Sequence, residues 1–108
     1  MSTQEELLSQ AQPLQQQLQS LLFQKETLSM QSIEIKKAVE ELDKTKETTV
    51  YKITGPILVK AIKKDIKKDL DEKEEAISLR IKKIEKTEMQ LKDKLNSIRE
   101  KLTQKIGG

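Results

Sequence analysis

Apolar residues recur along this chain in two long stretches at alternating intervals of four and three, the repeat that lays one stripe of an α-helix against a second helix. The first stripe runs Leu7, Ala11, Leu14, Leu18, Leu21, Lys25, Leu28, Ser32, Ile35, Val39 and Leu42, with nine apolar positions of eleven. The second runs Leu70, Glu74, Ile77, Ile81, Ile84, Glu88, Leu91, Leu95, Ile98, Leu102 and Lys105, with eight of eleven. The spacing predicts a helix over about 4–43 and another over about 65–106. Ser2 and Thr3 before Glu5 and Glu6 form a candidate capping box for the first. Asp65 is a candidate N-cap for the second, and Gly107-Gly108 a stop signal. Pro13 removes a backbone donor inside the first helix, so its opening turns are predicted to kink or fray.

Between the stripes the period changes from 3.5 to 2. Residues 48–62, TTVYKITGPILVKAI, crowd β-branched and apolar side chains around Gly55-Pro56. Glycine first and proline second suits a two-residue type II′ loop. The implied pairing sets Thr54 opposite Ile57, Ile53 opposite Leu58, Lys52 opposite Val59, Tyr51 opposite Lys60 and Val50 opposite Ala61. One face then carries Tyr51, Ile53 and Leu58, and the other Val50, Ile57 and Val59. Asp43 to Glu47 and Lys63 to Asp65 read as the connections on either side. A two-stranded hairpin with two apolar faces and two unpaired edges needs strands from elsewhere, and this chain has no third.

Two stripes of equal length on either side of a hairpin fold back on each other. The expected fold is mostly α, an antiparallel coiled-coil hairpin with a β-hairpin inserted between its helices, all in one domain spanning 1–108. In an antiparallel pair each a position meets a d position, so facing residue numbers sum to 109 or 116. The value 109 leaves fewer stripe residues without partners and is preferred. In either register Lys25 and Glu88 fall in adjacent layers, within salt-bridge reach. The alternative is that each reaches to solvent on its own.

Composition supports long solvated helices over a compact core. Apolar residues make up 34% of the 108 and charged residues 36%, and only Tyr51 and Phe23 are aromatic. The net charge of +3 from 21 basic and 18 acidic residues gives no sign of a nucleic-acid binder. Lys60, Lys63, Lys64, Lys67 and Lys68 cluster around the hairpin, where a solubilising collar is favoured over a site for phosphate or an acidic partner. No apolar run is long enough to span a bilayer and the N-terminus has no targeting pattern, so a soluble protein is expected. With no His, Cys or Trp and three Gly, no enzyme site, metal site or cofactor is expected.

A functional surface is sought instead at the far ends of the helices. Leu7, Leu8, Ala11 and Leu14 from one terminus are expected to meet Ile98, Leu102 and Ile106 from the other, where coil ends short of partners present apolar side chains. Ordinary seam packing accounts for part of this set and explains Leu8 and Ile106 least. Leu22, Phe23, Met30 and Ile33 also lie off the stripe and are candidates for lining a flank of the coil or a neighbouring chain.

The order helix, VYKITGPILVK over 50–60, helix, with SLRIKKIEK over 78–86, resembles the β-subunit family of prefoldin over essentially the whole chain. The resemblance implies a cytoplasmic co-chaperone: a hetero-hexamer of two α-type and four β-type subunits whose hairpins complete intersubunit β-barrels. It also implies that the coil ends hold non-native polypeptides and pass them to a group II chaperonin without nucleotide hydrolysis. Carried over by position, Leu7, Leu8, Ala11, Leu14, Ile98, Leu102 and Ile106 are the client-binding candidates. Val50, Tyr51, Ile53, Ile57, Leu58 and Val59 are the assembly candidates. The runner-up reading is a structural coiled-coil scaffold or adaptor that binds no unfolded protein, and a third is a nucleic-acid-binding coil using the lysine collar, which predicts strongly salt-dependent association.

Overall fold

In a computed structural model the backbone is described for residues 3–107 and the side chains for 3–104. Four elements follow in order: α1 (Gln4–Lys44), β1 (Thr49–Thr54), β2 (Ile57–Ile62) and α2 (Lys63–Gly107). Helix α1 opens on Thr3, whose Oγ1 accepts from the Glu6 N–H at 3.1 Å and whose carbonyl accepts from the Leu7 N–H at 3.0 Å. Thr3 is therefore the capping residue. Glu5 and Glu6 sit in the first turn, where negative charge favours the helix dipole. The helix passes Pro13 without interruption. Proline there costs one backbone donor and leaves the rest of the ladder in place.

Packing divides the chain into two units. The first joins residues up to Thr27 with those from Ile81 onward. In it Leu7, Ile84, Glu88, Leu91 and Ile98 are buried, and Ala11, Leu14, Leu18, Leu21, Lys25, Ile81, Leu95 and Leu102 half-buried. The second spans Leu28–Arg80. Its helical part shields Leu28, Ser32, Ile35, Val39 and Leu42 against Leu70, Glu74 and Ile77. These are the stripe residues, and every other position of α1 is exposed. Threonines on the solvated faces satisfy their hydroxyls on their own helix, Thr27 on the Phe23 carbonyl and Thr87 on the Lys83 carbonyl.

Contacts between the helices fix the register in each unit separately. In the second, Ser32 Oγ donates to Glu74 Oε1 at 2.7 Å and Lys36 Nζ lies 3.7 Å from the same oxygen. A register summing to 116 would place Glu74 opposite Leu42, roughly 15 Å along the axis from Ser32. In the first, Leu21, Gln17 and Gln24 border one groove with Thr87 and Leu91. Both observations select 109.

The strands pair antiparallel from Thr54↔Ile57 out to Thr49↔Ile62, in the register expected from the sequence. Gly55 takes φ +55°, the conformation that a two-residue loop with proline second requires of its first residue. Two expectations at the junctions are corrected. Helix α1 continues to Lys44, so the first connection is Thr45 to Thr48. No second connection exists: α2 begins at Lys63, directly after β2, and Asp65 lies in its first turn instead of capping it. The reason is that the Lys63 N–H donates to the Thr48 carbonyl at 2.9 Å, so the strand ladder itself supplies the acceptor a capping side chain would have offered. The Lys63 ammonium also donates to the Thr45 carbonyl at 2.8 Å and holds the connection in place.

Candidate assembly and client-binding surfaces

Strand alternation puts Tyr51, Ile53, Leu58 and Ile62 on one face of the hairpin and Val50, Ile57, Val59 and Ala61 on the other. The first face is open to solvent: Ile53 is 75% exposed, Tyr51 68% and Leu58 67%. On the second, Val50 and Ala61 are half-buried, while Ile57 and Val59 are exposed. The sheet has two strands only among the described residues, so the outer edges of β1 and β2 keep free backbone donors and acceptors. Ile62 was absent from the sequence-derived assembly set, although carrying the alternation one pair further, to Thr49↔Ile62, identifies it.

The lysines around this hairpin are partly committed to their own chain. Lys67 Nζ lies 2.8 Å from Asp43 Oδ1. The hydrogen bond and the charge of Asp43 hold its ammonium above the ordinary value of 10.5, against a smaller desolvation effect. Lys63 is bound to Thr45 as described. Within the first unit, Lys25 Nζ contacts Glu88 Oε1 at 2.8 Å, and Glu88 is 7% exposed. The hydrogen bond that Lys25 donates to Glu88 raises the Lys25 pKa above 10.5, with burial opposing and the charges of Glu88 and Glu85 assisting.

The client-binding candidates separate into three groups. Leu7, 1% exposed, and Ile98 are buried in the seam, and Ala11, Leu14 and Leu102 are half-buried there. Leu8 points away from the seam and is 53% exposed. The Ile106 side chain lies outside the described residues. Leu22, Phe23, Met30 and Ile33 are all exposed on α1. Leu79 and Met89 on α2 are exposed as well; they lie off the stripe as those four do, and the same criterion identifies them. Among the described residues no cluster of carboxylates could hold a metal ion, and no helix is long and apolar enough to cross a membrane.

Comparison with known proteins accounts for this combination of coil and unpaired sheet. Residues 5–108 match the prefoldin subunit family. Prefoldin subunit beta of Archaeoglobus fulgidus is 40% identical over 97 residues, covering 89% of this chain and 84% of the relative. That of Thermococcus onnurineus is 39% identical over 101 residues, covering 93% and 84%. The crystal structure of the prefoldin beta subunit from Thermococcus strain KS-1 matches with a TM-score of 0.85 at 31% identity, over 93% of this chain and 89% of that one. With sequence and fold in agreement along nearly its full length, the chain belongs to the prefoldin family as a β-type subunit.

Proposed function

We propose that this β-type prefoldin subunit assembles through its hairpin with α-type and further β-type subunits into a cytoplasmic hexamer of two α and four β. The assembly captures non-native polypeptides at the coil ends and passes them to a group II chaperonin without hydrolysing nucleotide. The observation that carries the assembly half is a two-stranded sheet whose largest apolar side chains are exposed and whose edges are free. Joining such hairpins would cover Tyr51, Ile53, Leu58 and Ile62 on one face and Val50, Ile57 and Val59 on the other. Family membership supports the chaperone half.

Client capture on this reading is weak at each end and strong in sum. A single exposed Leu8, with half-buried Ala11, Leu14 and Leu102 behind it, buries little area against a client, and several subunits acting together give avidity while allowing release. The burial of Leu7 and Ile98 favours a second reading, a coiled-coil scaffold whose ends only close its own seam. Removing residues 1–11 and 99–108 from the assembled protein separates the two. Assembly is expected to persist while suppression of aggregation of a denatured client drops severalfold; undiminished suppression rejects the client-binding role of these ends.

A further inference from the structure

Along the stripes from Leu7 to Leu42 and from Leu70 to Leu102 charge segregates by helix, while the more exposed Lys67–Asp43 pair beyond them has the opposite sense. Helix α1 contributes Lys25 and neutral Ser32, and α2 contributes Glu74 and Glu88. In the first unit Lys25 meets Glu88 at 2.8 Å. In the second, independently, Ser32 meets Glu74 at 2.7 Å. An apolar residue at each of these sites would pack the seam equally well with either helix type as partner. The polar residues remove that freedom. Two α1 helices in parallel register would bring Lys25 against its own copy inside the seam. Two α2 helices would bring Glu74 and Glu88 against theirs, like charges in a seam where water screens them less than at the surface.

We propose that Lys25 and Glu88, seconded by Glu74, form a pairing code that confines each first helix to a second helix and excludes homotypic coils between neighbouring chains. The partner being refused is another copy of this chain. The device matters wherever several copies are held side by side, because their apolar stripes share one repeat and would otherwise exchange partners. It does not depend on what the coil ends bind.

The chain has no cysteine, so a single Leu18→Cys change reports homotypic pairing. In a parallel α1–α1 coil residue 18 meets residue 18 of the other chain and forms a disulfide, whereas in the native hairpin it meets no thiol. Full-length chains with Lys25 and Glu88 intact, with K25L/E88L, and with the exchanged pair K25E/E88K are oxidised mildly and the linked dimer measured. The Leu pair is expected to raise the dimer severalfold, while the exchanged pair stays at the native level. Equal dimer in all three, or an increase in the exchanged pair as well, overturns the proposal. Should the Leu pair fail to fold by circular dichroism, mixing K25E chains with E88K chains decides. Dimers containing one of each chain, with the native unfolding midpoint recovered, support the code; two unmixed populations of native mass overturn it.

Discussion

Ser32 Oγ donates to Glu74 Oε1 at 2.7 Å, while the second oxygen of the same carboxylate is buried without a hydrogen-bond partner among the described residues. A carboxylate half satisfied in a seam is a cost to the fold, and the serine offsets part of it. Ser32→Ala is expected to lower stability by about 1 kcal/mol. Glu74→Leu is expected to raise it, since Lys36 is exposed and can return to water. Midpoints of urea unfolding followed by helical signal check both, and a Glu74→Leu chain less stable than the native one contradicts this account.

Leu7 and Leu8 are neighbours in sequence with opposite surroundings, 1% and 53% exposed. Leu7→Ala removes buried packing and is expected to cost about 2–3 kcal/mol. Leu8→Ser is expected to change stability by less than about 0.5 kcal/mol. In an aggregation-suppression assay at a temperature where both variants stay folded, Leu8→Ser is the one expected to weaken client protection.

Gly55 holds φ +55° with open space where a side chain would project. The penalty of Gly55→Ala is therefore backbone strain alone, about 1–2 kcal/mol. A chain made synthetically with D-alanine at position 55 is expected to recover most of it, because a D residue prefers positive φ. Thermal unfolding of the two alanine forms makes the comparison; equal midpoints show that the loop geometry does not matter.

Ile53 and Leu58 face each other on the open side of the hairpin. Ile53→Asp with Leu58→Asp is expected to leave the helical content of the chain unchanged and to prevent assembly with an α-type subunit, read as mass by light scattering. Persistence of the full assembly removes this face from the interface.

The Lys25 and Lys67 ammonium groups both titrate above 10.5 in the folded chain, each chiefly because a carboxylate accepts its hydrogen bond. A raised folded-state value means that folding favours the protonated form. That stabilisation is fully present below the unfolded value of about 10.4 and is lost as pH rises through the folded values. The unfolding midpoint is expected to fall above about pH 10.5, and less steeply in a Lys25→Met, Lys67→Met chain. Identical alkaline profiles contradict the assignment.

Both stripes were legible because a helix in contact with one partner buries one side, and leucine, isoleucine and valine at a 3.5 repeat record that side directly. The hairpin was legible for a different reason: a glycine-proline loop admits one turn geometry, and the turn then fixes every cross-strand pair out to Val50↔Ala61. The start of α2 was not legible. Its first residue takes its acceptor from Thr48, fifteen positions away in the chain, and a local capping signal such as Asp65 cannot compete with a ladder bond that forms only when the strands meet. The client-binding candidates were legible as apolar positions but not as a surface, since the same leucine can close the seam, as Leu7 does, or stand outside it, as Leu8 does.

Periodicity and turn chemistry, which are local, thus determined by themselves the element order, the paired stripes and the strand register. Tertiary packing decided which of two coil registers is occupied, that Lys25 and Glu88 bond to each other instead of reaching to water, and which apolar residues remain exposed. Those outcomes depend on distances between residues dozens of positions apart, and no repeat along a single strand of sequence encodes such a distance.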